Sequence, residues 1–383
     1  MSMKLSMEKG PIRPPSEAQS LLIRATRNCP WNRCAFCHTY QGCKFEIRSV
    51  EEIRDDIRKA KDIADLICDL SRQEGSGGRV TQPVVKRLLA RGEFSEESIQ
   101  AVAAWLHYGG ESVFLQDANS LIMKTDDLVQ VISSIRETFP SVQKITSYCR
   151  SRTAAGKSVE ELRRLNDSGL TRIHMGVESG YDPLLLFMNK GATAADHVEG
   201  GRRLKEAGFS LCVYVMPGLG GTRWSREHAE ETARVINLIN PDHVRLRTLQ
   251  VVDGSPLYTM MQNGAFHPLA EEEIVREIGI FIEHLDGIET TIVSDHVLNL
   301  LEEVAGKLPG DKSRLLATIG RFLAMSPEKR IIFRLGRRKG IYRKLDDLAE
   351  RGTFLWLKSM VDQYASDPDL LEQELERIMQ VFI

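Results

Sequence analysis

The chain has 383 residues, 42% of them hydrophobic, and a formal net charge of −2 at pH 7. That length allows one large domain with an appendage or two domains, and the apolar share supports a full core. The balanced charge gives no global pull toward nucleic acid or an anionic membrane, and no run approaches the roughly 20 apolar residues of a membrane-spanning helix.

Residues 1–20 are polar and proline-rich and read as a loose N-terminal arm without the apolar h-region of a secretory signal. Of the seven cysteines, Cys29, Cys34, Cys37 and Cys43 are close together, whereas Cys68, Cys149 and Cys212 are scattered. That distribution argues for one metal site and a reducing cytoplasm. A strand over Leu21–Ala25 leads into Cys29-Pro30-Trp31-Asn32-Arg33-Cys34-Ala35-Phe36-Cys37-His38-Thr39-Tyr40. Cysteines this dense read as metal ligands, and thiolates suit iron–sulfur clusters or zinc. A structural zinc would take His38 or Cys43 as its fourth ligand. A cubic four-iron cluster held by three thiolates would keep one iron open to a small molecule, as a catalytic zinc keeps one position for substrate. A disulfide is the weakest alternative, because nothing marks the chain as secreted.

Ile53, Ile57, Ala60, Ile63, Leu66, Ile67 and Leu70 recur at helical spacing and predict a helix over Val50–Leu70. The breaker-rich Arg72–Gly78 and two short helices in Thr81–His107 make a helical insertion over about 72–108. Then strands at Ser112–Leu115, Lys144–Tyr148, Arg172–Gly176, Ser210–Met216 and His243–Leu249 alternate with helical patterns at Thr125–Thr138, Ser158–Ser168, Pro183–Met188, Ala194–Ala207 and Ser225–Ile239. Gly169 and Gly208 stand where left-handed helix caps are expected. Such alternation predicts a parallel sheet with helices outside. With the first strand there are six strand–helix units, fewer than the eight of a closed barrel, so the expected fold is an α/β partial (β/α)6 TIM-like barrel over 21–256. A mainly helical domain follows over 257–383, with patterns at Glu272–Leu285, Val297–Lys307, Lys312–Met325, Leu345–Ala365 and Leu370–Val381.

Ligands in parallel α/β folds sit at the carboxyl ends of strands. Those ends carry the cysteines, Gln116-Asp117-Ala118-Asn119-Ser120, Arg150-Ser151-Arg152, Glu178-Ser179-Gly180, Pro217-Gly218-Leu219-Gly220-Gly221 and Asp253-Gly254-Ser255-Pro256. A structural zinc loop would not require this gathering of polar and glycine residues. Arg150 and Arg152 are candidates for an anionic group. Pro217–Gly221 lacks the full phosphate-loop pattern. Glu178 has a helix-capping alternative, and Lys190 that of a solvated surface lysine. Lys329–Lys344 is strongly basic and reads either as a site for an anionic substrate or RNA or as a solvated face. Ser294-Asp295-His296 with Asn299 reads as a helix cap in preference to an extra wall of the site.

The cysteine stretch resembles the cluster loop of radical S-adenosylmethionine (radical SAM) enzymes, with one more residue between the first two cysteines than their common C-x3-C-x2-C. The resemblance extends over about Leu21–Tyr258. It implies that Cys29, Cys34 and Cys37 hold a [4Fe-4S] cluster whose fourth iron is chelated by SAM, with Phe36 beside the adenine. His174–Gly180 is similar to the fourth-strand motif of the branch related to oxygen-independent coproporphyrinogen oxidases, which gives Glu178 the SAM ammonium or ribose. Lys190 falls where that branch commonly carries an arginine for the carboxylate, and Gly218 and Gly220 lie in the glycine-rich fifth-strand loop. Gln116-Asp117-Ala118 stands where many of these enzymes carry Gly-Gly-Glu, and Asp117 and Asn119 are the side-chain candidates there. The family implies a 5′-deoxyadenosyl radical, a flavodoxin or ferredoxin as electron donor, and an unidentified substrate. Some coproporphyrinogen oxidase relatives act as haem carriers, which is the alternative function.

Overall fold

In the computed structural model, which describes residues 4–364 and 367–380, the first apolar run becomes β1 (Leu21–Arg24). The chain divides into two compact units: residues up to 32, 39–176 and 199–211 form one, and residues 33–38, 177–198 and 212 onward form the other.

The first unit continues with the short antiparallel ribbon β2 (Thr26–Arg27) and β3 (Glu46–Ile47), then α1 (Val50–Gln73), α2 (Gln82–Arg91) and α3 (Glu96–His107). After these come β4 (Ser112–Gln116), α4 (Thr125–Thr138), β5 (Lys144–Arg150), α5 (Ser151–Ala155), α6 (Val159–Ser168) and β6 (Leu170–Glu178). Strands β1, β4, β5 and β6 pair in parallel in that order. Ser49 and Glu52 form a reciprocal capping box that starts α1, and Ile53, Ile57, Ile63, Ile67 and Leu70 make its buried stripe. Each such side chain contributes about 1.5–3 kcal/mol of apolar transfer, so the stripe rather than helix propensity holds α1 in place. Helix α6 ends at Gly169, whose φ of 120° is one that side-chain-bearing residues avoid.

The N-terminal arm is tied down, not loose. Glu17 is fully buried and accepts hydrogen bonds from Ser20 Oγ at 2.6 Å and Lys144 Nζ at 2.6 Å. Burial raises the Glu17 carboxyl, and His174, Lys144 and Ser20 together hold it down at about 2. Glu8 pairs with Arg24 and Arg27, and the Gly10 N–H donates to Gln116 Oε1 at 2.9 Å. Charged residues in an otherwise polar arm read as solvated from sequence because their partners lie far along the chain.

The second unit takes the end of β6, then α7 (Asp182–Phe187) and the first residues of α8 (Ala194–Glu206). It includes most of β7 (Ser210–Val215), and then α9 (Gly221–Ile239), β8 (His243–Leu246), α10 (Pro256–Gln262) and α11 (Glu271–Glu283). After these come β9 (Thr291–Val293), β10 (Gly306–Lys307), α12 (Lys312–Leu323), α13 (Pro327–Arg338), α14 (Arg351–Asp362) and α15 (Pro368–Gln380). Strands β7, β8 and β9 are parallel, and β10 is antiparallel to β9. The sheet order is β1-β4-β5-β6-β7-β8-β9-β10, an α/β order with β1 and β10 at its ends. This is the expected partial barrel, extended by two short strands too brief to show a pattern in the sequence.

One predicted helix is absent. Val297–Lys307 is irregular until β10, although Leu298, Leu300, Leu301 and Val304 are buried. Its carbonyls find donors outside a helix. Arg338 donates to Val297 O at 3.1 Å and Leu298 O at 3.0 Å, and Arg337 to Asn299 O at 3.2 Å and Leu300 O at 3.1 Å. With these groups satisfied the segment needs no internal ladder. The cap assigned to Asp295 goes with that helix: Asp295 instead pairs with Arg245 at 3.2 Å, while Asn299 donates to Leu246 O at 2.9 Å and accepts the Thr248 N–H at 3.1 Å. The helix read over Leu345–Ala365 starts as a 3-10 turn at Leu345–Ala349 before α14; its last residue, Ala365, and Val381 of the final helix lie outside the described residues.

The basic segment Lys329–Lys344 is mostly α13, and its central guanidinium groups are committed internally. Arg334 donates to Glu271 at 2.7 Å and to both Glu372 oxygens at 2.6 and 2.8 Å, and Arg338 also pairs with Glu271. The two arginines hold the almost buried Glu271 carboxyl below its usual range against the burial that raises it. These groups join α11, α13 and α15.

Candidate cofactor site

Cys29, Cys34 and Cys37 are not joined in disulfides and are each half-buried, on an irregular loop. His38, the sequence candidate for a fourth ligand, is exposed, and Cys43 is half-buried. Among the described residues there is no group of three or more His, Cys, Asp or Glu side chains disposed to hold a single metal ion.

In the first unit the loop is closed at its neck. The β2–β3 ladder pairs Thr26 with Ile47 and Arg27 with Glu46. Beyond it Asn28 Nδ2 donates to Lys44 O at 2.7 Å, and Asn32 Nδ2 to Cys43 O at 2.6 Å. Asn28 and Asn32 have φ of 66° and 40°, in the left-handed region that asparagine tolerates better than most residues. The fully buried Asp117 accepts from Arg24 at 2.9 Å, from the Asn28 N–H at 3.2 Å and from the Tyr40 hydroxyl. Burial raises its carboxyl above the usual aspartate range, against the lowering by Tyr40, Arg24 and Asn28. Asn119, also buried, accepts the Arg150 N–H at 3.1 Å and donates to Thr153 Oγ1 at 2.9 Å, which ties the ends of β4 and β5. The Arg150 guanidinium lies 5.2 Å from the centroid of the Trp31 ring, and Arg152 is exposed on α5.

In the second unit the stretch through Ala35 is held by two backbone bonds. Its N–H donates to Met188 O at 2.9 Å, and its carbonyl accepts the Leu257 N–H at 2.9 Å. Ala35 packs with Leu184, Met188, Leu219 and Phe266, and Phe36 lies partly exposed against that cluster. The Cys34 thiol faces Lys190 O at 3.9 Å, and Lys190 Nζ lies 5.7 Å from the Phe36 ring centroid. Lys190 Nζ also donates to Glu178 Oε1 at 3.2 Å, both side chains being almost buried. Lys190 is therefore not a solvated surface lysine. Glu178 has a φ of 65°, and a non-glycine residue held there at a strand end is a recognised mark of functional sites. Cys34, Phe36, Glu178 and Lys190 are thus brought together by one short stretch and the segments that flank α7.

Two loops beside this group rest on buried polar side chains that no spacing in the sequence announces. Glu277 of α11 accepts the Gly218 N–H at 2.7 Å and the Ser225 hydroxyl at 2.6 Å. Burial pushes its carboxyl up to about 7, against the lowering by those two donors. His228 of α9 bonds to Met216 O at 3.1 Å and Ser179 Oγ at 2.9 Å. A carbonyl only accepts, so Nε2 carries the proton and Nδ1 accepts from Ser179. Burial lowers His228 to about 4 and keeps it neutral. Gly218 has a φ of 88°, and a Cβ at Gly220 would lie 2.8 Å from the Trp224 carbonyl oxygen. The fold itself requires these glycines, whatever approaches the loop.

The Radical SAM superfamily signature matches residues 68–236. Over that stretch the chain is similar to the radical SAM superfamily. The match begins after the cysteine loop, so the loop adds its own motif to it. Over 120 residues the chain is 28% identical to a tRNA uridine(34) acetyltransferase of Methanocaldococcus jannaschii, covering 31% of this chain and 22% of that protein. It is 28% identical over 226 residues to biotin synthase of Clostridium botulinum, covering 56% and 62%. It is 23% identical over 195 residues to the haem chaperone HemW of Bacillus subtilis, covering 50% of each. The chain spans less than two thirds of the length of each of these relatives. No described helix is long and apolar enough to cross a membrane.

Proposed function

We propose that this chain is a radical SAM protein that holds a [4Fe-4S] cluster through Cys29, Cys34 and Cys37 and binds SAM beside it. The donor set fits: three half-buried thiols outside any disulfide on a loop with a fixed neck, and soft ligands of the kind such clusters take. When bound, the pair supplies one-electron cleavage of the SAM sulfonium to methionine and a 5′-deoxyadenosyl radical, which takes a hydrogen atom from substrate. The chain's own residues bind and orient. The Phe36 ring offers an apolar face for adenine. Glu178 accepts from the SAM ammonium or ribose, and Lys190 meets the carboxylate, which exchanges their present ion pair for two pairs with the ligand. A flavodoxin or ferredoxin in the cytoplasm as electron source belongs to the same proposal, and the substrate stays open.

The observation that carries this reading is the gathering of Phe36, Lys190 and Glu178 around the Cys34 stretch. A haem-carrier role is not favoured, because Arg334, Arg337 and Arg338 of the basic segment, the cations it would use for porphyrin carboxylates, are spent within the fold. Anaerobic reconstitution followed by iron and sulfide analysis tests the proposal. About four irons per chain are expected for a single four-iron cluster, lost in Cys29→Ala, Cys34→Ala or Cys37→Ala and kept in Cys43→Ala, Cys68→Ala, Cys149→Ala and Cys212→Ala. Tightly bound zinc with no brown iron chromophore would contradict it.

A further inference from the structure

The two ends of the cysteine loop meet on one side chain. Asp117 Oδ2 accepts the N–H of Asn28, the residue before Cys29, at 3.2 Å. Its Oδ1 accepts the hydroxyl of Tyr40, three residues beyond Cys37. Tyr40 is 3% exposed and Asp117 fully buried, so the bond between them is shielded from water, while the bond from the half-buried Asn28 is partly shielded. Arg24, on the strand that feeds the loop, supplies the charge that lets the carboxylate stay there, at 2.9 Å. The two asparagine latches, from Asn28 to Lys44 O and from Asn32 to Cys43 O, close the same neck from the other side.

We propose that Asp117 is a positioning residue that clamps the entry and exit of the cysteine loop onto the end of β4, setting the separation of the thiol-bearing residues before a cluster is bound. The proposal rests on the reading of the three cysteines as cluster ligands. It gives the carboxylate at the end of β4 a task other than touching SAM, since both of its oxygens are engaged by Arg24, Asn28 and Tyr40. Joining the ends of a flexible loop costs entropy that grows as about 1.5RT ln n with its length. A loop closed in advance spares cluster binding that cost.

Tyr40→Phe removes one arm of the clamp and keeps the buried ring; Asp117→Asn removes the charge and keeps the shape. Hydrogen exchange of the amides of residues 28–43 is measured in the metal-free protein. Iron release to a chelator and the electron paramagnetic resonance spectrum of the reduced cluster are measured in the reconstituted protein. In Tyr40→Phe the loop amides exchange and the iron leaves about tenfold faster, the effect of one lost charge-assisted hydrogen bond. The spectrum also shifts at unchanged initial iron content, which a bond that merely stabilises the fold would not cause. In Asp117→Asn both rates rise at least as much. The double variant is no faster than Asp117→Asn, because the two residues act through one bond. Wild-type exchange across the loop in Tyr40→Phe overturns the clamp, and faster exchange with an unmoved spectrum overturns its positioning role. If Asp117→Asn does not fold, Tyr40→Phe decides alone. If the wild-type chain takes up no iron, the cluster reading fails, while exchange in the metal-free protein still decides whether Asp117 holds the loop.

Discussion

Asp117 in the first unit and Glu277 in the second each accept a backbone N–H from a loop that carries candidate cofactor residues, Asn28 beside Cys29 in one case and Gly218 in the other. Burial raises both carboxyl groups. Their surroundings differ in one respect. Asp117 has the Arg24 guanidinium at 2.9 Å, whereas Glu277 has, among the described residues, the Gly218 N–H and the Ser225 hydroxyl, with the neutral His228 Nε2 at 3.7 Å. A buried carboxylate with a cation stays ionised, while one with neutral donors alone titrates near neutrality. The cysteine loop is thus held by a charged clamp, and the glycine-rich loop by a group that changes charge at about pH 7.

The largest effect expected from this difference is that of Asp117→Ala. Breaking a buried ion pair by removing one partner costs about 3–5 kcal/mol. The low end applies, because Arg24 retains Glu8 at 3.1 Å. Chemical denaturation measures the loss; a cost under about 1 kcal/mol, the range of exposed pairs, would make the clamp no stronger than a surface contact.

Glu178→Ala separates a residue that touches the ligand from the two that support loops. It is expected to weaken SAM binding by roughly tenfold to a hundredfold, the cost of one charge-assisted hydrogen bond, with iron content unchanged. Titration calorimetry under anaerobic conditions gives the affinity. An unchanged value would return Glu178 to pairing with Lys190 alone.

The smallest effect is a slope. Glu277 rises from its ordinary 4.5 to about 7 on folding, so the folded state holds its proton more tightly. Its stabilising share is full below 4.5 and is lost as pH rises to about 7, at no more than about 1.4 kcal/mol per pH unit. His228 falls from 6.5 to about 4, so its share is full above 6.5 and is lost as pH falls toward 4. The two slopes oppose one another through most of that range. The difference between wild type and Glu277→Gln isolates the first: the variant gains on the wild type as pH rises from 5 to 7.5. Parallel stability curves would show that Glu277 keeps an ordinary pKa in the folded protein.

The fold is largely legible because its signals are local. The stripe of α1, the Gly169 cap and the six strand–helix units each declare themselves within a window of a few residues. Val297–Lys307 misleads because its apolar residues are buried in a helix-like pattern, while its carbonyls are satisfied by Arg337 and Arg338 from α13. The cysteines, Glu178 and Lys190 stand out by spacing and by place at strand ends. Asn28 and Asn32 are detectable in principle, as asparagines flanking a dense turn. Glu277 and His228 are not, since a glutamate and a histidine within helices look like surface residues until the packing is known. Asp117 reads from sequence as a neighbour of the cofactor, and only its distant partners Asn28 and Tyr40 reveal what it holds.

The central claim, that this chain is a working radical SAM enzyme, is tested most directly by product release without knowledge of the substrate. Wild-type protein, reconstituted and reduced under anaerobic conditions and supplied with SAM, is expected to release 5′-deoxyadenosine slowly. The product should be absent in Cys34→Ala and reduced in Glu178→Ala, where misplacement by about 1 Å costs on the order of a hundredfold. A reduced, cluster-loaded wild-type protein that yields no 5′-deoxyadenosine, even with extract of its source cell as a supply of substrate, would contradict the account.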